Sequence, residues 1–563
     1  MNIYGYKITT KEKGSKGLPF LLGLPLQFDM EKESSFLLQA TILATAGMMV
    51  RIMGFLYRIP MQNILQDDGT AIYSMGYSLY MLFFVMSSAG MPAAISKMVS
   101  ARVAQKQYIN AHRVLKIGLF IAGIAGFAAM LFMFFGASFL AGLLSSDQVF
   151  YSIRTLAPTV FIVAIMSIFR GYFQGMGNAM PTAISQIIEQ ALKAFFSVFL
   201  VWILIDEGIA VAAAGGTAAA AIGAVFAMGF MLFVFTIGKP RRLRMINRHD
   251  DRSEPEPGGK IAKEVIFTAI PIVAGTAVFS ITNIIDAYMV MNILISAGFS
   301  YEDSLVLFGQ LAGKYVVITT LPVAIVTALS TALIPSIAAS MAVKNLPEAK
   351  VKINLALRFA MLIAVPAAVG IGVLAREILL FLFPANPEGA ILLQVGAVSI
   401  LFLSINQVST GILHGLHVLR MPVIAAALGA SIKIPLNILL ISMPEINVLG
   451  AVISTTLCYA FAGLFNMYAV YRMTNAGTDV VNIFIKPIVS AIFMGFVCYI
   501  IFHTLYLIFL SNAISLLLAI FLSAVVYFGT MIFLRGLTKK ELILLPMGKR
   551  LVRFLNRMGV RDF

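Results

Sequence analysis

Apolar stretches of about 20 residues, each long enough to cross a ~30 Å hydrocarbon core, recur from near residue 36 to residue 536. Inside a bilayer every backbone N–H and C=O must be satisfied within the protein, and runs of this length do so as α-helices. About fourteen such spans can be counted. Only 12% of the residues are charged, where a soluble domain has about a quarter. The expected fold is therefore an all-α integral membrane protein.

The spans are not independent of one another. Gly171-Tyr-Phe-Gln-Gly175, Met180-Pro181 and Lys193 return about 240 positions later as Gly411-Ile-Leu-His-Gly415, Met421-Pro422 and Lys433. Gly90-Met-Pro92-Ala-Ala-Ile-Ser96 resembles Leu333-Ile-Pro335-Ser-Ile-Ala-Ala339 in the same sense. A repeat this long marks two fused, similar lobes, with a transport site between them. The expected organisation is a tail over 1–35, a first six-helix lobe over 36–238 and a linker over 239–262. A second six-helix lobe over 263–473 comes next, then two additional spans over 474–536 and a basic amphipathic tail over 537–563. Six spans per lobe is an even number, so the repeat is parallel. The linker holds Pro240, Pro255, Pro257, Gly258 and Gly259 among mixed charges, which predicts a flexible, solvated connection.

Loop charge predicts orientation. The loop 97–116 carries Lys97, Arg102, Lys106, Arg113 and Lys116 and no acid, and 239–263 carries eight Lys or Arg. Alternate loops carry Asp67-Asp68, Asp147, Asp206-Glu207, Glu302-Asp303, Glu388 and Glu445. Basic loops stay in the cytoplasm, which predicts a protein of the cytoplasmic membrane with both termini on the cytoplasmic side. The net charge of +16 then reads as a topology signal and not a nucleic-acid footprint. Cys458 and Cys498 lie within spans and read as small packing residues.

Charges within spans are costly and usually face a wet cavity. Gly47, Arg51, Gly54 and Arg58 share one face of the first span. Lys193 and Lys433 are equivalent by the repeat and are expected to face a common central space. The competing readings are an outer Arg58 that snorkels and an internal Glu189–Lys193 pair at i,i+4. Asp286 and Lys314 sit in the seventh and eighth spans, where they could pair with each other. Arg51, Arg58, Lys97, Lys193, Lys314 and Lys433 are the candidate binding residues. Glu189 and Asp286 are candidates for charge balance or coupling, with coupling to a monovalent cation left open. The excess of cations favours an anionic ligand, and phosphate suits arginine forks. The chain carries no Walker loop and no HExxH, so neither an enzyme nor a bound cofactor or metal is expected.

Three segments carry a resemblance. Val50-Arg51-Ile-Met-Gly54-Phe55-Leu-Tyr-Arg58-Ile-Pro60, Ser88-Ala-Gly-Met-Pro92-Ala and Arg170-Gly-Tyr-Phe-Gln-Gly-Met-Gly-Asn-Ala-Met-Pro181 resemble the SpoVB/YtgP branch of MurJ-type proteins. These belong to the multidrug/oligosaccharidyl-lipid/polysaccharide exporter superfamily. The resemblance implies two six-helix lobes plus two helices, and a flippase for lipid II, with membrane lipids and the cell-wall synthesis machinery as partners. It implies that Arg51 and Arg58 are cavity arginines, at a spacing one residue longer than the proteobacterial pattern, and that Lys314 is the cationic position of the eighth helix. The arginine of the second helix has no counterpart in apolar Phe83–Met86. Three alternatives stand beside this reading: a flippase for another polyprenyl-pyrophosphate-linked oligosaccharide, a cation-coupled multidrug exporter, and a non-transporting sporulation or division scaffold.

Overall fold

The computed structural model describes residues 32–537, apart from 251–253, 343–344, 417, 419, 476 and 478. Of the expected tails over 1–35 and 537–563, residues 1–31 and 538–563 lie outside the described residues, and 32–35 belong to the first helix. The first half runs α1 (Lys32–Leu56), α2 (Arg58–Phe84), α3 (Met91–Ala104), α4 (Tyr108–Phe135), α5 (Ala137–Leu143), α6 (Val149–Gly175), α7 (Met180–Leu204), α8 (Ile209–Ile237) and α9 (Lys239–His249). The second runs α10 (Gly258–Ser296), α11 (Tyr301–Gly309), α12 (Val316–Ala342), α13 (Leu346–Val373), α14 (Ala375–Leu382), α15 (Ala390–Gly396), α16 (Ser399–Gly415), α17 (Arg420–Ile441), α18 (Leu449–Thr474), α19 (Lys486–Phe509) and α20 (Asn512–Phe533). Among the described residues, eleven helical segments are long and apolar enough to cross a membrane. The number is twelve if α15 and α16, bent by 51°, form one span. Thr41–Leu56 and Ile284–Ser296 are shorter apolar helices.

The repeat reappears as packing. α1 packs on α7 as α10 packs on α17; α3 packs on α4 and α6 as α12 packs on α13 and α16. α6 and α7 each pack on α8 as α16 and α17 pack on α18. The repeated glycines mark the closest approach. A Cβ on Gly171 would press on Pro92, and one on Gly411 on Ile334, so each glycine motif meets the repeated proline motif of its own bundle. Such small-residue contacts supply the van der Waals packing that holds helices together in lipid. α19 and α20 pack on each other, and α19 lies against α13.

α2 is not one rod. Gln66 has φ 55 and ψ −165, and the hydroxyls of Tyr57 and Tyr73 are 3.0 Å apart. Sixteen residues of straight helix would separate them by about 24 Å, so the chain folds back at Gln66. This hairpin inserts Asp67 between the two bundles, where it is buried and not exposed in a loop. The linker also differs from expectation. Residues 239–249 form α9, and the segment beyond α9 is strapped to the first bundle. Arg102 donates from Nε and Nη2 to Glu256 at 2.8 Å each and from Nη2 to Glu264 at 2.8 Å. The Asn110 amide oxygen accepts from the Glu256 N–H at 2.9 Å. A proline- and glycine-rich composition predicts freedom only where no partner holds the chain; here a buried arginine does. Cys458 and Cys498 are buried free thiols.

Candidate functional site

A cavity of about 400 Å³ lies between the two bundles, within the size range of small-molecule sites. One wall comes from α1, α2 and α7 and carries Arg51, Gly54, Tyr57, Arg58, Tyr77, Gln190 and Lys193. The other comes from α12 and α16 and carries Val317, Thr320, Leu321, Ala324, Thr327 and Gln407. Among the described residues, no carboxylate lines it. Three of the four residues on the predicted first-span face, Arg51, Gly54 and Arg58, reach this cavity. Arg58 is half-buried in the wall and does not snorkel at its rim.

Lys193 is 7% exposed, yet among the described residues no carboxylate lies within ion-pair distance of it. Its Nζ donates to the Tyr77 hydroxyl at 2.8 Å and sits 4.1 Å from the Tyr77 ring centroid and 5.8 Å from that of Tyr57. Tyr73 supports both neighbours, stacking on Tyr77 with centroids 5.9 Å apart and bonding the Tyr57 hydroxyl. Phenol oxygens and ring faces solvate an ammonium without neutralising it. The expected Glu189–Lys193 pair does not form. Glu189 instead accepts from Arg170 Nη2 at 2.7 Å, and Arg170 Nε donates to Ser185. Arg51 and Arg58 likewise have no carboxylate partner among the described residues.

The repeat-related lysine has a different environment. Lys433, 1% exposed, donates to Asp286 at 2.5 Å, and Asn437 donates to the other oxygen of the same carboxylate at 3.5 Å. Ser454 in turn donates to Asn437. Lys433 is absent from the cavity lining, so the expectation that Lys193 and Lys433 face one shared space is corrected. The lobes repeat the lysine but not its counter-charge. Asp286 does not pair with Lys314 either. Lys314 bonds Asp67 at 2.8 Å with both side chains almost wholly buried, and also the Glu388 carbonyl at 3.1 Å. Asp67 further accepts from Gln62 at 2.7 Å and Asn386 at 2.9 Å. Lys314 is thus a latch between the bundles at the face opposite the linker, and not a cavity residue. Lys97 is exposed on α3 and does not line the cavity. Of six candidate cations, three line the site.

The tyrosines, Gln190 and Gln407 were missed, because neutral polar residues within apolar spans give no charge signal. The latch did leave a trace. Gly309-x-x-x-Gly313 directly precedes Lys314, and a Cβ on Gly309 would overlap the backbone of Asp67. Among the described residues, no cluster of three or more His, Cys, Asp or Glu could hold a metal ion.

Comparison with known proteins agrees with this architecture. Residues 36–341 match the family described as polysaccharide biosynthesis protein, and 310–439 match MatE. The chain is 30% identical over 459 residues to "Lipid II flippase MurJ" of Bacillus subtilis (strain 168), covering 78% of this chain and 83% of that one. It is 25% identical over 524 residues to "Stage V sporulation protein B" of the same organism, covering 92% and 99%. A solved structure of "Lipid II flippase MurJ, inward closed conformation" aligns with a TM-score of 0.63 at 16% identity, covering 88% of this chain and 98% of that one. At that identity the likeness speaks to fold.

Proposed function

The chain belongs to the polysaccharide biosynthesis protein family, within the MOP superfamily of membrane transporters, and on that premise we propose that it is a flippase for an anionic lipid-linked glycan, lipid II. The observation that carries the proposal is the set of three cavity cations, Arg51, Arg58 and Lys193, that no carboxylate among the described residues neutralises. Ionisable groups at membrane depth are functional when they stay unpaired. A pyrophosphate supplies the missing counter-charge and suits arginine geometry. The opposite wall, of aliphatic and hydroxyl residues on α12 and α16, gives the sugar a partly polar surface. The polyprenyl tail stays in the bilayer.

The linker face is cytoplasmic in this reading, on the strength of its basic loops. The head group enters from that side and leaves at the other once the Asp67–Lys314 latch opens. An inside-negative potential favours outward movement of an anion by about 2.3 kcal/mol per charge per 100 mV. A cation-coupled drug exporter is the weaker reading, because Asp286 and Glu189 are already matched by Lys433 and Arg170. The test is rescue of a flippase-deficient strain at matched protein level. Arg51→Ala and Arg58→Ala are expected to fail, and Arg58→Lys, which keeps charge but loses the fork, to rescue in part. Full rescue by both alanine variants overturns the proposal.

A further inference from the structure

α9 is a second point of contact with lipid, separate from the cavity. Its eleven residues carry Lys239, Arg241, Arg242, Arg244 and Arg248 and no acid. Contacts to the first bundle fix its roll. Met245 and Ile246 adjoin Tyr108, Tyr172 and Met176, and Arg242 folds back with its guanidinium 3.6 Å from the Phe235 ring centroid while donating to the Phe235 carbonyl. That roll leaves Lys239, Leu243, Arg244 and Asn247 exposed. A large apolar side chain, Leu243, is thus 47% exposed beside Lys239 and Arg244, which form no ion pair among the described residues. The helix starts immediately after Gly238, which ends α8, and the last turns of α8 expose Phe233 and Ile237. An amphipathic basic helix at the mouth of a span fits the plane of the headgroups.

We propose that α9 is a docking surface for anionic phospholipid of the leaflet on the linker face, with Lys239 and Arg244 on the phosphates and Leu243 among the upper acyl carbons. Electrostatic attraction to an anionic leaflet weakens by about fivefold for each cation removed. The proposal is independent of which lipid the cavity takes, and flippase activity is not its readout.

The test uses the full chain with Leu243→Cys carrying an environment-sensitive fluorophore. The protein is reconstituted in nanodiscs of phosphatidylcholine alone or mixed with phosphatidylglycerol. With phosphatidylglycerol, a spin-labelled lipid is expected to quench the probe and aqueous iodide to be excluded. Adding Lys239→Gln and Arg244→Gln is expected to weaken docking by about twenty-five-fold, read as loss of most lipid quenching at the same phosphatidylglycerol fraction. Circular dichroism checks that α9 and the rest of the protein keep their helix content. Equal lipid quenching in the two mixtures overturns the proposal because docking would then need no anionic lipid, and iodide access in both overturns it because α9 would then face solvent or a soluble partner.

Discussion

Lys193 and Lys433 occupy the same place in the repeat, so substituting each tests whether environment decides role. Lys433→Met leaves the Asp286 carboxylate without its cation. Breaking a buried pair by removing one partner costs about 3–5 kcal/mol; because the Asp286 side chain is 22% exposed, the lower end, about 3 kcal/mol, is expected. Replacing both partners, Lys433→Met with Asp286→Leu, removes the orphaned charge and should restore most of that loss. Lys193→Met is a different case. It gives up one charged hydrogen bond to Tyr77 but also removes an unneutralised cation from a buried site, so stability should change by no more than about 1 kcal/mol. Its cost appears in binding. Loss of a charged contact to phosphate, about 1.5–3 kcal/mol, weakens a pyrophosphate lipid roughly ten- to hundredfold and leaves a neutral lipid unaffected. Thermal unfolding in nanodiscs reads the first effect, and titration with the two lipids reads the second. If Lys193→Met unfolds as readily as Lys433→Met and still binds pyrophosphate lipid normally, the division into cavity lysine and structural lysine is wrong.

Three further outcomes are expected. Lys314→Met should leave Asp67 orphaned and open the face opposite the linker, and Gly309→Val should wedge α11 off Asp67 with the same result; both should raise labelling of a cysteine at position 63, and unchanged labelling would refute the latch. The Arg102 guanidinium holds the Glu256 carboxyl below its ordinary value of 4.5, and a carboxylate depressed on folding contributes stability above its unfolded pKa and loses it as pH falls through the folded value. Protection against hydrogen exchange at the Glu254 and Glu256 amides should therefore be high at neutral pH and fall only below that ordinary value, with Glu256→Gln flattening the profile and a wild-type profile already flat counting against the strap. Membrane-impermeant reagent applied to intact cells should label cysteines at 68 and 303 but not at 106 or 248; labelling at 248 would reverse the proposed orientation.

The sequence by itself determined the class and the repeat. Apolar length and backbone satisfaction leave only helices, and a motif returning after 240 positions predicted the paired bundles. The periodicity of Gly47, Arg51, Gly54 and Arg58 is a local property of helix geometry, and three of the four, all but Gly47, line the cavity. Which charges are spent was left undecided at that level. Lys433 has no acid within reach along its own helix, yet Asp286 arrives from 147 positions away; Asp67, 247 positions from Lys314, turns inward at Gln66 to meet it. Glu189 is one turn from Lys193 and still goes to Arg170. Ion pairing between helices depends on rotation and depth, which packing sets and no single segment encodes. Only the tertiary structure separates Lys314 and Lys433, which are paired with carboxylates, from Arg51, Arg58 and Lys193, which line the cavity with no carboxylate partner among the described residues.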